Sequence, residues 1–356
     1  MNLPNDTTVL IIGLGYMAER YVRILGELGV PSVNIVGFDA DEARRMKFRE
    51  DFGGMETVES LVEGLDRQPD AAFILTNTPS HKDFLVAVLG AGVTRVFLEK
   101  PIVLDISELP ALHQAVARCE ITPVIEVGYL INFSHAVFEL VAMMVGEDLM
   151  VIEGRGGWGK SRFGDHRPSA GDAEDELTHP FNVLLNLARM GRTRPDIIVH
   201  SAAFTHTPFV DWETQRVAAQ RDPTFPTYPS ATSQVCALVA TAVPILVQSS
   251  FVSFETHRWI EVTLAQAREL GRPTHTVRIE FDTEGEDLLR VRDLRENPRG
   301  EVSTEHFDAK AKLVDQTAAF LGHACRGTPD PRATSFTSAC AMVELLGDAM
   351  KPGNLL

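Results

Sequence analysis

Four consecutive apolar residues, Val9-Leu10-Ile11-Ile12, run directly into Gly13-Leu14-Gly15-Tyr16-Met17-Ala18. An unbroken apolar run is the pattern of a strand covered on both faces, as in parallel sheets. The G-x-G-x-x-A that follows leaves few ways to continue. Its first glycine permits a tight turn, its second lets a phosphate approach the backbone, and its small third residue lets a helix pack on the sheet. Tyr21, Ile24, Leu25 and Leu28 then recur at helical spacing before Gly29. Strand, glycine turn and helix in that order form a dinucleotide site, where N–H groups at the helix start meet a pyrophosphate. Gly13, Gly15, Tyr16, Met17 and Ala18 are the expected cofactor contacts.

A second strand, Val33 to Phe38, leads to Asp39, 21 residues beyond Ala18. An acid about 20 residues past the glycines bonds the ribose hydroxyls and disfavours a 2′-phosphate. NAD is therefore expected over NADP. Arg44 and Arg45 follow closely. They could accommodate a phosphate, or lie as exposed charges on the next helix.

Strand-like and helix-like segments alternate as far as residue 126. The expected elements are a helix over 41–52, a strand Ala71 to Thr76, a helix Lys82 to Leu89, a strand Val96 to Leu98, a helix Leu104 to Cys119 and a strand Pro123 to Val127. Such alternation predicts a parallel, doubly wound sheet. The pattern changes near Gly128. A helix over Ala136 to Gly146 and a strand Met150 to Gly154 are followed by a polar, glycine-rich stretch, Gly156 to Gly171, read as loop. A helix over Pro180 to Met190 comes next. Strand-like runs then follow one another at Ile197–Thr205, Ser233–Ala242, Ile245–Phe254, Trp259–Ala265 and Thr274–Phe281, which predicts an antiparallel sheet. Val243-Pro244 is expected to turn a hairpin, Asp211 to Pro229 to form a long loop, and Phe307–Arg326 and Ser335–Met350 to be closing helices. With 356 residues, two domains are expected, divided as 1–126 and 127–356.

Composition narrows the partners. The net charge of −16 repels a phosphate backbone, so no nucleic acid is expected. Cys119, Cys236, Cys325 and Cys340 include no C-x-x-C, which suggests neither a zinc site nor a disulfide framework and fits a reducing cytoplasm. The N-terminus lacks the basic and apolar run of a signal peptide. The most apolar stretch, Val235 to Val247, is too short to span a membrane and reads as buried strand. No membrane partner and no metal are expected.

Two further segments end strands: Thr76-Asn77-Thr78-Pro79-Ser80-His81 and Glu99-Lys100-Pro101. Asp175 and His179 form a D-x-x-x-H. Together with the glycine fingerprint, this ordered set resembles the glucose–fructose oxidoreductase/inositol dehydrogenase (Gfo/Idh/MocA) family over nearly the whole length. The resemblance implies an N-terminal NAD(P)-binding Rossmann domain and a C-terminal α+β domain with a large, open, mainly antiparallel sheet. That second domain would bind substrate and often makes a homodimer or homotetramer interface. It implies hydride transfer between nicotinamide and a secondary alcohol or ketone of a sugar, cyclitol or nucleotide-linked sugar. It assigns Lys100, Asp175 and His179 as the catalytic residues, and Thr76, Asn77, Thr78, Pro79, His81, Glu99, Lys100 and Pro101 as lining the cofactor.

The chemistry suits those residues. Oxidising an alcohol requires a base for the hydroxyl proton, and imidazole, with a pKa of ~6.5, works near neutral pH. An ammonium at the same oxygen stabilises developing alkoxide charge. Asp175 can bind a substrate hydroxyl or orient the imidazole, although Asp172, Glu174 and Glu176 crowd the same segment. His81 is expected to position backbone, and Pro101 to hold a turn. The chain departs from the family pattern at Ala170-Gly171-Asp172, at Leu177 and at Asn132. All three are on the substrate side, so no familiar sugar carries over. Tyr129 and Asn132 are candidate cleft-lining residues. In the segment Trp158–Asp175, Lys160 and Arg162, with Asp165, His166 and Arg167 beside them, are candidates to meet substrate or to lie in a solvated loop. Phe204, Trp212 and Trp259 read as packing. Two other readings stay within the fold: a glycosidase that reduces a bound NAD transiently, and a non-catalytic dinucleotide sensor.

Overall fold

The computed structural model describes residues 7–53, 55–103, 105–161, 176–190, 199–207, 232–239, 243–295, 302–327, 330 and 332–349. The chain forms two compact units, residues 1–130 with 313–343, and residues 131–312 with 344–356.

The first unit is built on six parallel strands: β1 (Val9–Ile12), β2 (Ile35–Phe38), β3 (Glu56–Val58), β4 (Ala71–Ile74), β5 (Arg95–Leu98) and β6 (Val124–Val127). Their order is β3-β2-β1-β4-β5-β6. Helices α1 (Tyr16–Glu27), α2 (Glu42–Asp51), α3 (Leu61–Asp66), α4 (His81–Gly90) and α5 (Leu109–Ala117) connect successive strands. The order reverses between β1 and β4, and ligands of such sheets bind beyond the strand ends at that point. β1 and β4 are buried at every residue. β3 breaks the expected pattern because only Val58 is buried, so it shows no apolar run.

The closing part of the chain completes this unit. Thr334–Ser335 pairs antiparallel with β6. Phe320, on the helix Ala311–Arg326, meets Phe73 edge-on at 5.2 Å and Phe97 at 5.6 Å. Tyr21 of α1 packs on the same two rings. His323 of the closing helix meets the buried Glu126 of β6 through Nδ1 at 2.7 Å from Oε1.

The second unit is an eight-stranded sheet behind α6 (His135–Gly146) and α7 (Thr178–Arg189). Its strands are β7 (Leu149–Ser161), β8 (Val199–Thr207), β9 (Thr232–Val239), β10 (Val243–Ser250), β11 (Val252–Gln266), β12 (Pro273–Thr283), β13 (Glu286–Asp293) and β14 (Ser303–Asp308). They run in the order β14-β13-β12-β11-β7-β10-β9-β8. Neighbours are antiparallel except β7 and β10, which are parallel.

Three expectations change here. Residues 156–161 are strand rather than loop, because β7 continues to Ser161 in the middle of the sheet. The segment 303–308 is strand, and the closing helix begins at Ala311 instead of Phe307. Pro244 lies within β10 opposite Leu238, while pairing with β7 begins only at Ile245. A proline is tolerated at such a strand start, where its missing N–H is not required. The expected loop 211–229, with Trp212, lies outside the described residues.

Candidate functional site

In the first unit, Gly13 has φ +92°, and a Cβ atom there would lie 2.8 Å from Thr76 Cγ2 and 2.9 Å from Thr76 N. Only glycine fits this close crossing of the β1 and β4 ends. Gly15 differs, since a Cβ added there meets nothing within 4 Å. Its missing side chain leaves open space at the start of α1, which has no side-chain cap. That combination fits a dinucleotide phosphate received by helix N–H groups. Ala18 is fully buried and Met17 packs on the core, whereas Tyr16 is exposed with Arg20 over its ring at 5.9 Å.

Asp39 follows β2. Its Oδ2 accepts the Leu14 N–H at 2.8 Å, and its Oδ1 accepts the Asp41 N–H at 2.9 Å. One carboxylate thereby holds the fingerprint turn and the approach to α2 together. Each oxygen retains acceptor capacity for a ribose hydroxyl. Arg44 approaches the same carboxylate at 3.6 Å, and Arg45 Nη1 donates to the Asp39 carbonyl at 2.7 Å.

The Thr76 and Lys100 turns are tied to one another. Ser80 Oγ donates to Thr76 Oγ1 at 2.8 Å and closes the turn Thr78–Ser80, which follows Asn77 and contains Pro79. His81 is fully buried, with Nδ1 2.8 Å from the Pro101 carbonyl and Nε2 3.0 Å from the Thr76 carbonyl. The Lys100–Pro101 peptide is cis. Glu99 accepts the Tyr21 hydroxyl at 3.1 Å and the Lys100 N–H at 3.3 Å. Burial pushes the Glu99 carboxyl above its ordinary range, opposed by the Lys100 charge. Burial, then the Glu99 charge, raises the Tyr21 hydroxyl well above its usual value. Tyr21 is the support the sequence reading missed. Its helical spacing marked it as core, and nothing marked its hydroxyl as a holder of Glu99.

Burial, with the Lys100 charge adding to it, also lowers the His81 pKa. The unfolded chain then binds this proton at higher pH than the folded one. The His81 contribution to stability is thus complete above about pH 6.5 and is lost as pH falls toward the depressed folded value. Denaturant titrations between pH 7.5 and 5 should show wild type losing up to ~1.4 kcal/mol per pH unit relative to His81→Gln. Parallel curves would mean that His81 does not titrate differently in the two states.

In the second unit, β7 and the segment 176–189 match position by position. Lys160 pairs with the Glu176 carboxylate. The Trp158 indole stacks on the His179 ring. A Cβ at Gly156 would lie 2.8 Å from Pro180 Cβ, and one at Gly154 would lie 3.1 Å from Leu184 Cδ2. Alternate strand residues share a face, so cation, indole and two glycines read out one side of the helix in order. Small residues at 154 and 156 let α7 approach closely, which places His179 in its first turn. Gly156→Ala is expected to cost about 1–3 kcal/mol of stability by overpacking. Urea denaturation checks this, and an unchanged midpoint would show that the helix can shift freely.

Of the substrate-side candidates, Asn132 donates to Asn182 Oδ1 on α7 at 2.7 Å, and Tyr129 is buried in the first unit. Lys160 lies on β7, with its ammonium 5.6 Å from the Phe251 ring centroid. Arg162 and Asp175, with Asp165, His166 and Arg167, lie outside the described residues. Trp259 carries the Arg278 guanidinium on its ring at 4.3 Å. Among the described residues no group of three or more His, Cys, Asp or Glu could hold a metal ion, and no helix is long and apolar enough to cross a membrane.

Known proteins resemble this chain in sequence over part of its length and in fold over most of it. A family model described as an oxidoreductase family with an NAD-binding Rossmann fold, Gfo/Idh/MocA, matches residues 7–125. The myo-inositol dehydrogenase Hyg17 of Streptomyces leeuwenhoekii is 30% identical over 111 residues, which is 31% of this chain and 33% of that protein. The chain therefore aligns with about one third of this curated relative's length. Among solved structures, a levoglucosan dehydrogenase in complex with NADH superposes with a TM-score of 0.75 at 14% identity, covering 96% of this chain and 95% of the other. UDP-N-acetylglucosamine 3-dehydrogenase from Acidithiobacillus ferrooxidans gives 0.71 at 14% identity, covering 96% and 95%. These two likenesses are of fold. The parallel sheet, the glycine turn tied to Asp39 and the match over residues 7–125 agree: this part of the chain is similar to the NAD-binding Rossmann domain of the Gfo/Idh/MocA oxidoreductase family.

Proposed function

We propose that this protein is an NAD(H)-dependent oxidoreductase that moves a hydride between nicotinamide and a secondary alcohol or ketone of a carbohydrate-like substrate. Sugars, cyclitols and nucleotide-linked sugars are the candidate classes. The observation that carries the reading is the placement of Lys100. It follows β5, which is parallel and next but one to β1, so its turn and the Gly13–Ala18 turn lie on one edge of the sheet. Dinucleotides bind at that edge. A curated relative named an inositol dehydrogenase is 30% identical over 111 residues.

NAD held by Gly13, Gly15, the α1 start and Asp39 would supply the hydride acceptor. In the proposed oxidation the His179 imidazole takes the hydroxyl proton. The Lys100 ammonium stabilises the negative charge that grows on that oxygen, and Asp175 binds a neighbouring hydroxyl or orients the ring. In reduction His179 returns the proton. The Asp39 carboxylate favours NAD over NADP because it would repel a 2′-phosphate. The same reading carries a cytoplasmic homodimer or homotetramer.

Absorbance of reduced nicotinamide tests the proposal. Protein is mixed with NAD⁺ or NADP⁺ and a panel of sugars, inositols and nucleotide sugars, and with NADH and the corresponding carbonyl compounds. Turnover with NAD⁺ exceeding that with NADP⁺ is the expected result. Tight NAD binding with no net turnover on any compound would favour the glycosidase or sensor readings instead.

A further inference from the structure

We infer that Trp158 is a positioning residue for His179: its indole holds the plane of the imidazole and shares the positive charge of the protonated ring. The inference rests on the reading of His179 as the proton acceptor. Trp158 is 3% exposed, and its ring centroid lies 5.2 Å from that of His179 with only 23° between the planes. That is stacking distance for two aromatic rings. An indole face carries negative quadrupole charge, so it attracts an imidazolium more than a neutral imidazole.

The indole is itself fixed. Phe281 packs on it at 5.8 Å. Arg258 is its cross-strand partner on β11, with Cζ 5.6 Å from the indole centroid. Asp282 Oδ2 accepts from Arg258 Nη1 at 2.7 Å. One turn before His179, the Lys160–Glu176 pair ties the start of the helical segment to the same strand. Among the described residues, the charged groups around the stack are Lys160 with Glu176, and Arg258 with Asp282. Lys312 lies farther out, over Phe281. Arg258 places positive charge against the indole and opposes protonation of His179, whereas the indole favours it.

The test reads the His179 ring directly and requires no substrate. Histidine-labelled protein is titrated by NMR, and the His179 signal among the 11 histidines is assigned by its loss in His179→Asn. In wild type the ring protons should show the upfield displacement expected beside an indole. Trp158→Leu is expected to abolish that displacement and lower the titration midpoint by about half to one pH unit. Trp158→Phe should retain most of the midpoint. Arg258→Gln should raise it, and Lys312 remains to hold Asp282 in that variant. Unchanged ring shifts and midpoints in Trp158→Leu and Arg258→Gln would overturn the inference. If Trp158→Leu does not fold, Arg258→Gln decides, since an unchanged midpoint there has the same meaning. Failure of the underlying reading looks different: substrate turnover would survive His179→Asn while the ring shifts still respond to Trp158.

Discussion

Lys100→Ala is expected to lower kcat by about two to four orders of magnitude while NAD binding changes little. The argument begins with the strand. Val96, Phe97 and Leu98 are fully buried in β5, so the chain leaves the sheet at Glu99-Lys100-Pro101 with its direction set. Glu99 is held by the Tyr21 hydroxyl and Pro101 by the His81 ring. The backbone on both sides of Lys100 is thus anchored to buried groups, which pre-orients the ammonium. Truncating the side chain removes the charge proposed to act on a developing alkoxide and leaves those anchors in place. The dinucleotide contacts expected at Gly13, Gly15 and Asp39 lie on other turns and would remain in place, so the loss of the one cofactor-lining side chain at Lys100 should weaken NAD binding little. The predicted signature is a fall in kcat with an unchanged dissociation constant for NAD. His179→Asn should behave similarly. If the two groups serve one proton-transfer step, the double variant will lose far less than the product of the single losses. Losses that multiply fully would show two independent roles. A lysine variant with undiminished turnover would remove the basis of the proposed reaction.

Much of this arrangement is legible in the sequence, for a physical reason. Buried parallel strands must be apolar throughout, and a pyrophosphate turn must contain glycine. The runs Val9–Ile12 and Ala71–Ile74 and the glycines at 13 and 15 therefore announce themselves locally. Features that depend on partners distant in sequence do not. Glycine at 154, 156, 157 and 159 reads as loop composition. On β7 these residues instead make room for Leu184, Pro180, Trp259 and His257 in turn. Glu126 interrupts an apolar strand, and only the closing helix, with His323, explains it. Likewise Phe320 reads as one apolar position on a terminal helix until it is seen among Phe73 and Phe97 of the first sheet. Trp158 falls in a stretch whose composition reads as a polar loop. Its stacking on His179 follows from a strand–helix register that spans about twenty residues.

Lys312→Met should strongly destabilise the second unit, costing about 3–5 kcal/mol. Lys312 is 2% exposed, and its ammonium lies 2.8 Å and 3.0 Å from the two Asp287 oxygens and 3.0 Å from Asp282 Oδ1. Asp287 is fully buried and also accepts the Ser134 hydroxyl at 2.6 Å and the Asp282 N–H at 3.0 Å. Ser134 precedes α6, Asp282 ends β12 and Asp287 begins β13, so the cluster binds one helix start to a hairpin of the sheet. Burial alone would raise the Asp282 carboxyl, but Lys312 and Arg258 outweigh it and hold the group below its ordinary value. That part of the stability is present above the unfolded carboxyl pKa and is lost as pH falls through the lowered folded value. Methionine keeps the length of the lysine stem but withdraws the cation, leaving Asp287 charged and buried with neutral donors only. Urea denaturation should show the loss. The double variant Lys312→Met/Asp287→Leu should recover a large part of it, because removing both charges abolishes the unpaired one. The Ser134 hydroxyl and Asp282 N–H then lose their acceptor, so recovery stays incomplete. Equal stability of the single and double variants would mean that the penalty comes from packing around the lysine stem rather than from the stranded carboxylate.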